Sequence, residues 1–205
     1  MDIHFKTLSL QCRQSKEVID LSPQILFFHG KVSSGKSSIA RLIDFCFGGE
    51  LEKTPAIIKE LVSVSLELAI EDYNVLLERE ANSNQVRVSW VDKEQQAATV
   101  LAPIQPGTKE IWGNNIFSLS DLLFHLLHFK TLKVPTNQNL EEAKLKRVTM
   151  RNFMWYCYLD QHHLDSSFYR LEDPSRNKSS REVMRFVFRY SSQKLSDLEA
   201  QLVLY

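Results

Sequence analysis

No run of 18 apolar residues occurs in this 205-residue chain, and the opening Met1-Asp2-Ile3-His4-Phe5-Lys6 lacks the apolar core of a signal peptide. The chain is therefore expected not to enter a membrane. Cysteine is scarce: Cys12, Cys46 and Cys157 are scattered, odd in number and without a C-x-x-C pair. A disulfide framework is excluded on that spacing, and reduced, buried thiols of a cytoplasmic protein are expected. Neither sign of charge is in excess, with 25 basic and 25 acidic residues, so any contact with nucleic acid has to come from a local patch. No low-complexity tract interrupts a composition of 43% hydrophobic and 24% charged residues. A chain of this length can form one large domain, or a domain with an inserted lobe, that buries about 70% of its unfolded surface.

Against this background one stretch is specific. Gly30-Lys31-Val32-Ser33-Ser34-Gly35-Lys36-Ser37 fits G-x-x-x-x-G-K-[ST]. The apolar run Ile25 to Phe28 leads in and predicts a strand buried on both faces. After Lys36, Ile39, Leu42, Ile43 and Phe47 fall at helical spacing, and Gly48-Gly49 marks the stop. The order strand, loop, helix suits a phosphate chain, whose oxygens are best held by several backbone N–H groups converging in a curved loop. The helix N-terminus adds its dipole, typically about 0.3–1 kcal/mol per charge. Lys36 is placed to reach the β- and γ-phosphates and the Ser37 hydroxyl to bind Mg²⁺, with Ser33, Ser34 and Ser38 beside them as further donors. The four specified positions coincide by chance in roughly one chain of this length in a hundred.

Upstream, His4 to Leu10 reads as a strand, Gln11 to Lys16 as a polar turn and Glu17 to Leu21 as a second strand closed by Pro23. Such a hairpin can sit over the edge of a nucleotide site, with Arg13 at its turn a candidate for adenine or phosphate; a solvated turn arginine is the plainer reading. Downstream, Glu50 to Glu60 is a polar linker with weak helical tendency. Val62 to Ile70, Tyr73 to Glu80, Gln85 to Val91 and Ala97 to Leu101 alternate apolar with polar residues. They predict an antiparallel meander of four strands with one solvated face. Leu68-Ala69-Ile70-Glu71-Asp72 could be offered as the acidic strand end of a second nucleotide motif. The alternating strand before it argues instead for a hairpin turn.

Ser118-Leu119-Ser120-Asp121 is expected to cap a helix from Leu122 to Phe129 with a leucine stripe. His125 and His128 lie at metal-ligand spacing without a third ligand nearby. Lys130 to Lys146 reads as a polar loop, and Thr149 as the N-cap of a helix from Met150 to Tyr156. Lys144, Lys146, Arg147 and Arg151, interleaved with Phe153, Trp155, Tyr156 and Tyr158, form the one stretch where a nucleic-acid surface can be argued. A solvated basic face explains it equally well. From Ser179 the pattern is helical, and Leu195, Leu198, Leu202 and Tyr205 follow at heptad spacing, under two heptads in all.

Taken together, the P-loop, the meander, the apolar segment Cys157-Tyr158-Leu159 ending at Gln161 and the outgoing heptads resemble the N-terminal half of a head domain in the SMC family. These are ABC-class ATPases of chromosome maintenance and break repair, and the likeness is nearest to smaller SMC-like ATPases of bacterial genome maintenance and anti-phage defence. The resemblance implies an α/β P-loop fold with a head over residues 1–190 and a coiled-coil arm starting at 191–205. Within the head it places the P-loop at 30–37, the meander at 61–101 and a Q-loop near 161. It makes Gly30, Gly35, Lys36 and Ser37 the Walker A residues, Gln161 the glutamine that touches Mg²⁺ and the attacking water, and Arg13 a nucleotide contact. The family's loop usually carries Asn and Gly where Val32 and Ser33 stand here.

An L-S-G-G signature, an apolar strand ending in Asp-Glu and a switch histidine, which the family carries in its C-terminal half, do not occur in this sequence. The resemblance therefore implies a separate C-terminal half as partner, a homodimer of heads around ATP and Mg²⁺, and possible contacts with DNA and with other subunits of a repair or defence complex. It also implies that the chain alone binds ATP but hydrolyses it poorly. Two other classes are weighed: a non-hydrolysing nucleotide-gated interaction module, and a small-molecule P-loop kinase, against which the meander speaks.

Overall fold

Alternation of apolar and polar residues sets the strands of the N-terminal part. The computed structural model describes residues 2–32, 34–52, 54–113, 115–129, 133–135, 145–157 and 183–184. It divides into two units, residues 1–129 and 130–205.

In the first unit, β1 (Ile3–Cys12) and β2 (Lys16–Asp20) form an antiparallel hairpin, with Leu8 opposite Ile19 and Gln11 opposite Lys16. The meander follows as β3 (Leu61–Ile70), β4 (Tyr73–Glu80), β5 (Gln85–Val91) and β6 (Ala97–Pro103). Local alternation marks the hairpin and the meander without saying whether they join. They are one sheet, because β1 also pairs with β3 from Ile3 opposite Ile70 to Cys12 opposite Leu61. The strand order is β2-β1-β3-β4-β5-β6, antiparallel throughout.

One face of this sheet is the core: Leu8, Val64, Leu66, Leu68, Ile70, Val75, Leu77, Val86, Val88 and Ala102 are buried. Side chains two apart share a face, so the intervening positions fall on the other side. There Ser89 and Thr99 share a hydrogen bond of 3.0 Å and Arg87 pairs with Glu78 at 3.7 Å. The acids at Glu71-Asp72 occupy the β3–β4 turn, with Glu71 left-handed at φ 48.

Two helices lie in the connection from β2 to β3: α1 (Lys36–Cys46) and α2 (Pro55–Glu60). The first buries Leu42, Phe45 and Cys46, and the Phe47 that follows meets Phe5 edge-on at 6.2 Å. It ends in a Schellman motif, the Gly48 N–H donating to the Phe45 carbonyl at 3.1 Å and the Gly49 N–H to that of Asp44 at 2.8 Å. The linker expected at 50–60 is helical over its second half, since Thr54 Oγ1 accepts from the Ile57 N–H and Pro55 suits the first turn.

Helix α3 (Leu119–Leu126) begins three residues before the predicted Leu122. Ser118 is the cap, its Oγ accepting from the Asp121 N–H at 3.3 Å, while Asp121 Oδ2 accepts from the Phe117 N–H at 3.1 Å. Its end also comes early. His128 turns left-handed at φ 58, and the Phe129 N–H reaches back to the Phe124 carbonyl at 2.8 Å.

In the second unit the segment read as a polar loop contains two paired strands, β7 (Lys133–Pro135) and β8 (Leu145–Arg147), with Lys133 opposite Arg147. Their lysine, arginine and proline content hid them, because backbone pairing makes the ladder rather than an apolar face. Helix α4 (Met150–Cys157) follows, with the Thr149 N–H and hydroxyl both donating to Asn152 Oδ1, at 2.8 and 3.0 Å. Gln161 and the heptads of 191–205 lie outside the described residues.

Candidate functional site

The site is built on the segment from Ile25 to Ser38, and its approach differs from expectation. Ile25 to Phe28 is not a strand: it has no sheet partner among the described residues, and Phe27 is 85% exposed. A strand apolar on both faces is stable only with neighbours on each side, and the sheet of this unit ends at β2.

The loop itself closes locally. The Ser34 N–H donates to the Lys31 carbonyl at 3.3 Å, turning the chain toward α1. Gly35 is the N-cap of α1 in the left-handed region, at φ 87, a conformation costing other residues roughly 1–2 kcal/mol. At Gly30 a Cβ would lie 2.8 Å from Ser34 Oγ, so that side chain would have to turn aside.

Beyond Gly35 the helix presents its first donors. The Ser38 and Ile39 N–H groups both turn back to the Gly35 carbonyl, at 3.0 and 3.3 Å. Among the described residues none accepts from the N–H of Gly35, Lys36 or Ser37, and no acid stands in the first turn. Such N–H groups, with the positive end of the helix dipole behind them, can hold an anion. Lys36, the first helical residue, folds its ammonium over the loop, donating to the carbonyls of Gly30 at 2.9 Å and Lys31 at 2.8 Å and to Ser34 Oγ at 3.2 Å. Ser37 is exposed in the first turn and Ser38 half-buried behind it. This donor set, amides and one ammonium with a hydroxyl alongside, suits a phosphate chain and its cation.

The structure therefore brings Gly30, Ser34, Gly35, Lys36, Ser37 and Ser38 together, while Ser33 and Gln161 lie outside the described residues. Arg13 sits exposed in the β1–β2 turn, its N–H on the Glu60 carbonyl at 2.9 Å. Among the described residues it makes no hydrogen bond or ion pair with the phosphate loop. The His128 ring lies tilted beside Tyr73 at 6.1 Å and His125 is exposed; among the described residues no group of three His, Cys, Asp or Glu could hold a metal ion. In the basic aromatic stretch Phe153 is only 4% exposed, so it faces the core of its unit and is withdrawn from any stacking surface.

One residue the sequence reading passed over is Arg79. It stands at the inward parity of β4, after Val75 and Leu77, and is only 6% exposed. Its Nη1 donates to the carbonyls of Phe45 at 2.7 Å and Gly49 at 2.6 Å, its Nε donates to Ser83 O at 3.0 Å, and the guanidinium lies 3.8 Å from the Phe45 ring centre. A cation thus closes the negative end of α1. The alternation of β4 was the signal that could have found it. Beside it, burial pushes the Cys46 thiol up to about 12, only partly opposed by the Arg79 charge, so Cys46 is an inert neutral thiol.

No helix among the described residues is long and apolar enough to cross a membrane. No curated protein and no solved structure matches the chain. A family model described as an AAA domain matches residues 4–147, from the first strand through the phosphate loop and the meander to β8. With that match over well more than half of its length, the chain belongs to the AAA domain family and carries a P-loop domain of the nucleotide-binding, ATPase type.

Proposed function

We propose that this chain is the ATP-binding N-terminal half of an SMC-like ATPase head. One observation carries the reading: the Lys36 ammonium lies on the Gly30 and Lys31 carbonyls at the foot of a helix that starts from a left-handed glycine and whose first N–H groups have no acceptor among the described residues. A triphosphate would take over that ammonium through its β- and γ-oxygens while the loop amides wrap the chain, helped by Ser33, Ser34 and Ser38. The Ser37 hydroxyl would hold Mg²⁺, which neutralises phosphate charge when bound. Gln161 would complete that shell and place the attacking water, and Arg13 would reach the adenine or the phosphates.

The rest of the head is assigned to a C-terminal half that brings the signature and an acidic general base. The exposed apolar run Ile25 to Phe28 is suited to pair with a strand of that half. The complete form dimerises around two ATP–Mg²⁺ and clamps or remodels DNA, in repair, chromosome maintenance or anti-phage defence, and this half alone binds ATP but turns it over poorly.

Calorimetric titration with ATP–Mg²⁺ tests the reading. The wild-type chain binds, and Lys36→Ala loses at least a hundredfold in affinity while its unfolding midpoint is unchanged, because the oxygens Lys36 meets lie on an exposed loop. Equal affinity in the two proteins would place the nucleotide elsewhere.

A further inference from the structure

Helix α1 is held at one end. Its buried residues, Leu42, Phe45 and Cys46, all fall in its second half, whereas Lys36 to Ala40 are exposed or half-buried. Eleven residues make a rod of about 16 Å, with the phosphate loop on the tip farther from its anchorage. A tilt of about 5° at the anchored end displaces that tip by roughly 1.4 Å, enough to spoil the convergence of several N–H groups on one anion. Packing by Leu42, Phe45 and Cys46 resists sliding, but apolar contact is non-directional and sets an axis only loosely.

Arg79 is a buried directional restraint at that end, where the half-exposed Arg41–Glu52 ion pair also ties the helix to the chain that follows it. One nitrogen of a planar guanidinium bridges two carbonyls, Phe45 inside the last turn and Gly49 just beyond it, while its Nε is tied to Ser83 in the turn after β4 and its plane covers the Phe45 ring. Side chain and backbone are thereby fixed together, and the last turn of α1 takes its orientation from β4.

We infer that Arg79 is a positioning residue for the phosphate loop: it orients α1 from its C-terminal end and so aims the N–H groups at the other. This rests on the nucleotide reading above and makes the sheet, which does not touch the phosphates, a determinant of affinity. A consequence is that nucleotide held at the loop restrains the far end of α1 through the same rod.

Two measurements on the full chain test it. In the wild type, saturation with ATP–Mg²⁺ slows hydrogen exchange at the Phe47, Gly48 and Gly49 amides as well as at the loop. Arg79→Met loses about tenfold or more in ATP–Mg²⁺ affinity well below its unfolding temperature, and Arg79→Lys, which keeps a charged donor, recovers part of it. Val88→Ala, which destabilises the sheet at β5 and leaves the clamp intact, binds as the wild type does.

Unaltered exchange at Phe47 to Gly49 on saturation overturns the inference without recourse to any variant. So does a folded Arg79→Met that binds within twofold of wild type, or a Val88→Ala that loses affinity in step with its stability. If Arg79→Met does not fold, Arg79→Lys takes its place on the same criterion. A wild-type chain that binds no ATP–Mg²⁺ removes the nucleotide reading and this inference with it, whereas wild-type binding with insensitive Arg79 variants removes the inference alone.

Discussion

Replacing Arg79 by methionine isolates what a buried cation contributes to the stability of this unit. Methionine fills much of the space of the arginine stem, so the change falls on the charged head, including its contact with the Phe45 ring. Two short hydrogen bonds, 2.7 and 2.6 Å, go from Nη1 to carbonyls in a buried setting, and bonds to a charged group contribute about 1.5–3 kcal/mol each. Against that sum stands the desolvation that the guanidinium no longer suffers, still several kcal/mol after relaxation. The carbonyls of Phe45 and Gly49 then lose this donor, so the net loss is about 2–4 kcal/mol. For a protein of this size that lowers the melting temperature by roughly 6–12 °C. Urea unfolding followed by tryptophan fluorescence measures it, since Trp90 packs against Trp112 at 5.0 Å in the same unit. A loss under about 1 kcal/mol, or a gain, would show that the guanidinium bonds do not outweigh their desolvation, and the argument for a clamp would fail with them.

Gly35→Ala tests backbone strain alone: a Cβ there meets nothing within 4 Å, so a stability loss of about 1–2 kcal/mol by urea unfolding follows from the φ of 87, and no loss would mean the loop relaxes freely. Phe27→Ser should leave the unfolding midpoint of the chain unchanged within about 0.5 kcal/mol, because the ring is already exposed; a larger loss would place that ring in a core. Cys46 should resist alkylation at pH 8 in the native protein, while exposed Cys157 reacts, as read by mass spectrometry. Burial holds the folded thiol up at about 12, above its ordinary value of 9.0, so the unfolded chain releases this proton first. Stability is therefore whole below about pH 9 and falls as pH rises toward 12, by up to about 1.4 kcal/mol per unit, a slope that Cys46→Ala should lack.

Much of this fold was legible because its rules are local. The period of two in Val64, Leu66, Leu68 and Ile70, and again in Val86, Val88 and Trp90, marked the meander strands within a residue or two of their ends. The phosphate loop was legible for the same reason, since Gly35, Lys36 and Ser37 meet within one turn of chain. Ser118 was read as part of a cap, yet α3 began at Leu119, because any of Ser118, Ser120 and Asp121 can cap and only the hydrogen bonds choose among them. Ile25 to Phe28 misled because apolar content states that a segment prefers burial and is silent on whether neighbours exist to bury it.

Sequence by itself determined the phosphate-loop pattern, the strand alternation and the glycine stop after α1, all of which depend on residues a few positions apart. Tertiary structure alone decided that β1 joins β3 to make one six-stranded sheet, and that Arg79 closes a helix ending more than 30 positions earlier. Pairings over such separations depend on which surfaces can be buried together once the chain has folded back, and no local period encodes that.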